Sequence, residues 1–404
     1  MKNIYKNLSK WHWVLFMIVL ISTGCQDDED DNTQPDGSEY FVSAESKGTV
    51  TKAQLQLYAQ FAGFGRYADL IDYDVAFYRF VYKTTYKEQT IDASGLLAIP
   101  QNTPTPAALA SAQHGTMFRQ RDAPSNFPLT FSGFEIMAAN GYITVIPDFI
   151  GFGVSSDIVH PYYDEAHSAA TVVDMLKAAK FYLQRENIAT NNNLFLVGYS
   201  EGGYVTLAAQ KEIEANPDHG LQLTAVAAGA GGYDLTGMLN GIATTTTYEE
   251  PSFLALILNA YNTTYAWNRP LTDFFREPYA SRLPTLLNGS NSREQINSEL
   301  TTSPAALFNP TFYANLQNAS GEPALKQKLT ENSLLDWVPK TPTRLYHGTA
   351  DEAVFYATSE TTFNRFKNAG ATNVELIPIP GGMHRTSIEP MVVDALPWFE
   401  TLNK

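Results

Sequence analysis

Cysteine is nearly missing from this sequence: 404 residues contain one, Cys25. A single thiol closes no disulfide within the chain, so the fold must stand on its buried core. Positive charge is also scarce, with 27 Lys and Arg against 42 Asp and Glu and a net charge of −15. No basic patch interrupts that excess. A chain this acidic is repelled by phosphate backbones, which excludes nucleic acid as a partner. The apolar run Trp11 to Ile21 falls short of the about 20 residues that a membrane-spanning helix needs. No metal-ligand spacing is present, and Gly151-x-Gly153 lacks the third glycine of a dinucleotide site, so neither a metal nor an organic cofactor is expected. Internal repeats are missing as well. What is there is a 44% hydrophobic composition, enough for a large core. The length suits one domain carrying a substantial insertion as well as it suits two domains.

The first residues read as a processing signal rather than as part of a fold. Lys2, Lys6 and Lys10 precede the short apolar run, and Ser22-Thr23-Gly24-Cys25 follows it, the order of a secretory signal peptide and its cut site. The stretch resembles the lipobox of bacterial lipoproteins, in which the cysteine is acylated and becomes the mature N-terminus, although Ser22 stands where leucine is usual. A signal peptide over 1–24 and lipidation at Cys25 are therefore expected, the alternative being a soluble secreted protein. Residues 25–48 open on Gln26-Asp27-Asp28-Glu29-Asp30-Asp31 and continue polar, which reads as a solvated acidic tether. Such an acidic run resembles the surface-export signal of some Gram-negative lipoproteins. An exported protein anchored to a membrane by lipid is expected, on the outer membrane, either at the cell surface or facing the periplasm. Loss of residues 1–24 removes three lysines and no acid, taking the charge to −18.

From Val75 the pattern alternates as strands do. Val75 to Tyr86 and Thr90 to Ile99 read as an antiparallel pair, Ala107 to Gln113 and Tyr142 to Ile146 as short buried strands, and Asp164 to Arg185 as an amphipathic helix. Leu194 to Gly198, Leu223 to Ala230, Thr343 to His347 and Val374 to Ile379 are further strands, with helices over Tyr204 to Ala215, Thr358 to Asn368 and Ile388 to Thr401. Alternating helices and continuously apolar strands indicate an α/β fold with a mostly parallel sheet covered by helices on both faces. Between Gly231 and Asp336 the alternation stops, and 231–336 reads as a helical cap inserted between 49–230 and 337–404.

One pattern carries chemistry. Gly198-Tyr199-Ser200-Glu201-Gly202 falls where a strand turns sharply into a helix, a place where serine is held with its Oγ exposed. A serine hydroxyl needs a base to take its proton, and the base needs a carboxylate to fix its tautomer. Downstream of the serine an acid and then a histidine should follow. His384, in Gly381-Gly382-Met383-His384, lies between the last strand and the last helix and is the candidate base. His160 and His167 precede the serine, His219 sits in a surface turn, and His114 and His347 end strands in His-Gly-Thr, where shaping a loop is the plainer role. Asp351 follows the penultimate strand and is the candidate acid, with Glu352 as the alternative. The oxyanion donors expected are the backbone N–H groups of Glu201, at the head of its helix, and of Thr116 or Met117 in the His114-Gly115-Thr116 loop. Tyr199, His114 and Met117 are candidates for contacting substrate. The segment Asp148 to Gly153 is expected to be a turn that shapes the pocket.

Gly-Tyr-Ser-Glu-Gly-Gly at 198–203, the His-Gly-Thr loop at 114–116, the Asp148 to His167 region and the Asp351/His384 pair together resemble the secretory lipases and related bacterial α/β-hydrolases, over roughly Val75 to Lys404. The resemblance implies the α/β-hydrolase fold and a serine carboxylesterase or lipase that cleaves esters through an acyl-enzyme, under a helical cap. Unlike typical lipases, the oxyanion loop has no run of glycines. The partner expected is a small-molecule, lipid or glycan ester. Two other readings stand beside this one. A serine peptidase of the same fold would grip an amine through cap acids, for which Glu249 and Glu250 are adjacent, although a solvated pair is the plainer reading. A non-catalytic surface lipoprotein that binds lipid or glycan would need no triad. Cap residues Phe253, Leu254, Leu256, Ile257, Tyr261, Tyr265, Trp267, Phe274 and Phe275 could line a pocket, although most such residues at helical spacing form core. The sequence leaves the oligomeric state open.

Overall fold

A nine-stranded sheet organises the protein. The computed structural model describes residues 37–404. The expected signal peptide, Cys25 and the acidic run lie outside the described residues. The strands are β1 (Phe41–Val50), β2 (Val75–Tyr86), β3 (Gln89–Pro100), β4 (Ala107–Gln113), β5 (Ile143–Pro147), β6 (Thr190–Tyr199), β7 (Ala225–Gly229), β8 (Thr343–Gly348) and β9 (Val374–Ile379). Their spatial order is β1-β2-β3-β5-β4-β6-β7-β8-β9. The pairs β1/β2, β2/β3 and β3/β5 are antiparallel, and the rest are parallel. This is the α/β-hydrolase fold. Every residue of β4, β5 and β7 is buried, as parallel strands covered on both faces require.

One boundary needs correcting. Residues 41–48, assigned to the tether, form most of β1, whose Phe41 faces Tyr82 and whose Val50 faces Val75. The strand is an edge with most side chains exposed, so its sequence is as polar as a linker's. Charged and polar side chains along an edge also discourage pairing with a second chain.

The helices are α1 (Lys52–Phe61), α2 (Glu135–Ala139), α3 (Glu165–Arg185), α4 (Glu201–Ala215), α5 (Leu235–Thr244), α6 (Pro251–Thr264), α7 (Tyr279–Leu286), α8 (Arg293–Ser298), α9 (Pro304–Leu307), α10 (Pro310–Gln317), α11 (Pro323–Glu331), α12 (Tyr356–Asn368) and α13 (Ile388–Leu402). Alternation along β6 divides the core in two. Leu194 and Leu196 point into the cluster that holds α3 and α4. Phe195, Val197 and Tyr199 point into the cluster that holds α1, α2 and α13. Helices α5 to α11 all fall between β7 and β8, in the stretch expected as the cap. Pro35–Lys404 makes one compact unit that contains both clusters, so it carries its own core.

Asp174 of α3 is buried against β2, where Thr84 Oγ1 donates to it at 2.8 Å. Burial pushes its carboxyl up to about 6, the Thr84 bond working the other way. The folded state therefore holds this proton more tightly than the unfolded chain. Stability is lost as pH rises from about 4 through about 6 and stays lost above that. Asp174→Asn, which mimics the neutral acid, is expected to stabilise the protein at pH 7 by about 2 kcal/mol. Urea midpoints at two pH values check this: the gain should be present at pH 7 and gone at pH 4.

Candidate active site

Ser200 joins β6 to α4 with φ 61° and ψ −126°, a region that costs a non-glycine residue energy and needs surrounding structure to hold it. Its N–H donates to Gly229 O on β7 at 2.8 Å, and its carbonyl accepts from Gly203 and Tyr204 at 2.9 and 3.2 Å. The flanking glycines permit this crowding. A Cβ on Gly198 would lie 2.2 Å from Gly202 O, and one on Gly202 would lie 2.0 Å from Gln113 O. Neither position admits a side chain while the elbow keeps its shape.

His384, 184 residues downstream, brings Nε2 to 2.8 Å from Ser200 Oγ and Nδ1 to 2.7 Å from Asp351 Oδ2. With the carboxylate accepting from Nδ1–H, Nε2 is left as the acceptor for the serine hydroxyl. All three groups are buried. The second carboxylate oxygen of Asp351 accepts from Ala353 and Val354 N–H at 3.0 and 2.8 Å. A further histidine, His347, places Nε2 at 3.2 Å from Asp351 Oδ2 and 2.8 Å from Val354 O. Two acceptors there require Nε2 to carry the proton, so Nδ1 accepts from Ser359 Oγ at 2.7 Å. Burial works to raise the Asp351 carboxyl, but the bonds from His347 and His384 overcome it and hold the group at about 2. Glu352 has a different task. Its Oε2 accepts from His384 backbone N–H at 3.1 Å, so it shapes the histidine loop while Asp351 faces the ring. Tyr199 OH donates to His384 O at 2.6 Å from the other side.

A cavity of about 630 Å³ opens over Ser200 and His384. His114, Thr116 and Tyr199 line it, but Met117 does not; Phe118 and Arg119 line it instead. Met117 packs against the core, because the loop after β4 turns its side chain inward. Gly115 lies against the serine, since a Cβ built there would be 3.6 Å from Ser200 Cβ. Thr116 Oγ1 and Tyr162 OH are 3.0 Å apart. Residues 148–153 form a turn and do not line the cavity themselves, but the Phe149 ring packs 4.1 Å from that of His114, which does. Asp148 is buried, accepting from Ser94 Oγ at 2.6 Å and Ser125 N–H at 2.8 Å. Of the nine apolar cap candidates only Phe253 lines it, while Tyr261, Phe274 and Phe275 are core. Glu250 is not solvated: Arg293 Nη1 and Asn297 Nδ2 donate to it at 2.8 and 2.7 Å. Glu249 alone is exposed.

Behind the elbow lies a pair that sequence reasoning missed. Glu201 turns its carboxylate away from the cavity and meets His160 Nε2 at 2.6 Å, while His160 Nδ1 donates to Ile150 O at 2.7 Å. Both groups are shielded from solvent, with side chains 10% and 2% exposed. The carboxylate thus pins the first residue of α4, whose backbone N–H is one of the amides a helix leaves without an internal partner. His160→Ala is expected to let that residue drift and to lower kcat on the order of 10- to 100-fold. Glu201→Gln, which still bonds His160, should keep most of the rate. Steady-state kinetics of the two variants decide it, and equal losses would contradict the account.

Residues 134–401 match the family model described as secretory lipase. Among curated proteins no sequence matches the chain. Among solved structures, a putative hydrolase from Legionella pneumophila aligns with a TM-score of 0.82 at 25% identity, over 91% of this chain and 99% of that one. The rice cell wall degrading esterase LipA from Xanthomonas oryzae aligns at 0.77 and 24% identity, over 90% and 99%. Candida antarctica lipase A aligns at 0.66 and 17% identity, over 92% and 83%. The last two likenesses speak for the fold.

Proposed function

The chain belongs to the secretory lipase family, and from that premise we propose that it hydrolyses carboxylic esters through an acyl-enzyme on Ser200. His384 takes the Ser200 proton as Oγ attacks the acyl carbonyl. The negative charge on the carbonyl oxygen is met by the backbone N–H groups of Glu201 and Thr116. His384 then gives the proton to the leaving alkoxide, and the alcohol departs. In the second half His384 draws a proton from water, the resulting hydroxyl attacks the acyl carbon, and the proton returns to Ser200 as the acid leaves. Asp351 keeps Nδ1 protonated throughout and stabilises the imidazolium. These steps call on no metal or organic cofactor. The observation that carries the reading is the unbroken Ser200–His384–Asp351 chain, with contacts of 2.8 and 2.7 Å.

Export follows from the same family, and lipid attachment at Cys25 is part of the proposal. The signal-like segment, the single cysteine at its end and the acidic run after it support that reading. The enzyme then works on a tether at an outer-membrane surface. The peptidase reading keeps only Glu249 of its two candidate acids, since Glu250 is occupied by Arg293 and Asn297, and neither acid lines the cavity over Ser200.

A soluble form of residues 26–404 tests the proposal with p-nitrophenyl esters, aminoacyl anilides and a fluorophosphonate probe. Ester turnover, and a single mass addition on Ser200, are expected. Anilides cleaved faster than every ester would turn the reading to a peptidase. Inertness on all substrates together with no labelling would make the protein a binder.

A further inference from the structure

His-Gly-Thr occurs at 114–116 and again at 347–349, and the two histidines are used differently. His114 bonds its own loop, Nδ1 to Gly115 O at 2.8 Å, and lines the cavity over Ser200. His347 ends β8, wholly buried and outside that cavity. Helix α12 covers it, bringing Ser359 Oγ to Nδ1 at 2.7 Å and the Tyr356 ring edge-on at 5.6 Å. Asp351 thus stands between two serine–histidine pairs, His384 with Ser200 on the cavity side and His347 with Ser359 on the core side. The core-side pair is fully buried and cannot meet a substrate, so whatever it adds to the reaction passes through Asp351. Two contacts give it that hold. His347 Nε2–H donates to Val354 O at 2.8 Å, while Val354 N–H donates to Asp351 Oδ1 at 2.8 Å, which fastens the acid loop through one residue. The same Nε2–H stands 3.2 Å from Oδ2, the oxygen that accepts from His384. A hydroxyl and an imidazole this deep cost desolvation that apolar side chains of similar volume would not.

Resting on the ester-hydrolase reading above, we propose that His347, its tautomer set by Ser359, is a positioning residue for the reaction: it holds the Asp351 carboxylate where that group orients His384. The Ser359 hydroxyl donates to Nδ1, so the proton stays on Nε2, the nitrogen that faces the acid loop. Burial works against an ionised Asp351, and the His347 contact does most to overcome it and hold the group at about 2. Without His347, only His384 among the described side chains bears on Oδ2, and Val354 O loses its partner inside the core. The acid loop is then free to shift, and a displacement of about 1 Å carried to the base is worth about 100-fold in rate.

A kinetic cycle on the soluble form of residues 26–404, with p-nitrophenyl acetate, tests this. His347→Leu is expected to lower kcat on the order of 10- to 100-fold, with KM changed by less than about twofold. His347→Gln, whose amide N–H can stand in for Nε2–H, should restore most of the rate. In the Asp351→Asn background, adding His347→Leu should cost less than about twofold more, because the histidine has no carboxylate left to position. A residue that only supports the core would cost the same in both backgrounds. Multiplying losses therefore overturn the proposal, and so does a wild-type kcat in His347→Leu. Should His347→Leu fail to fold, Ser359→Ala carries the same cycle. A loss of about three- to tenfold is expected in the wild-type background and none beside Asp351→Asn, and equal losses in the two overturn it. If the wild type cleaves no ester, the function has failed and the positioning role is read from proton NMR of the folded protein. The far-downfield His384 Nδ1–H resonance should be present in wild type and His347→Gln and be shifted or lost in His347→Leu. No such resonance in wild type, or one that His347→Leu leaves unmoved, would sink it.

Discussion

Ser200→Ala is expected to lower kcat for ester hydrolysis on the order of 10⁶-fold while leaving the fold intact. The change removes one buried oxygen and its bond to His384 Nε2, while the backbone contacts that hold the elbow do not involve the side chain. Rate above the uncatalysed reaction should remain, because the proposed oxyanion donors are backbone groups that the substitution spares. His384→Ala should cost about as much, and the double variant little more than either, since a nucleophile without its base is as idle as a base without its nucleophile. Single-turnover kinetics and fluorophosphonate labelling check this. Turnover near wild type in Ser200→Ala would remove the serine from the mechanism.

The second large effect belongs to Asp351→Asn, for which a loss of about 10⁴ in kcat is expected. An asparagine can present its amide hydrogens to His384 Nδ1, which flips the ring to the tautomer whose Nε2 carries the proton and cannot accept from Ser200. The same substitution has a signature in stability. The Asp351 carboxyl is held at about 2, below its ordinary value of 3.8. The folded state thus favours the ionised form. That contribution is full above about pH 4 and lost as pH falls toward about 2. In Asp351→Asn the corresponding part of acid unfolding, on the order of 2 kcal/mol, should be missing. Glu352→Gln should cost far less rate, since its carboxylate reaches only the His384 backbone. The reverse ranking would move the orienting acid one residue along.

Much of this architecture can be read from the chain, and the parts that cannot share a cause. β4 spans the expected Ala107–Gln113, because a fully buried strand declares itself as an apolar run between turn residues. The elbow is legible for the same reason, with glycines, serine and helix adjacent in sequence. β1 is not, because an exposed edge strand is polar and borrows its definition from β2. Glu250 reads as solvated because Arg293 and Asn297, which satisfy it, are 43 and 47 residues away. His160 is set aside when only chain order is considered. Its value lies in a contact with a residue 41 positions later, and no local pattern encodes that. Met117 and Phe118 differ by one position, and which of them faces the cavity depends on how the loop turns after β4.

The helical insertion leaves the sheet after Gly229 and re-enters it at Thr343, on two strands paired side by side through Gly229 and Tyr346. The serine elbow, the acid loop and the histidine loop all lie outside that interval. Lengthening or replacing such an insertion adds little closure entropy, because its two ends are already held together by the strands. Lineages descended from one ancestor can therefore trade away the roof of the cleft, and with it what the cleft admits, while inheriting the reacting atoms unchanged. Substrate range in such a protein is free to diverge faster than chemistry.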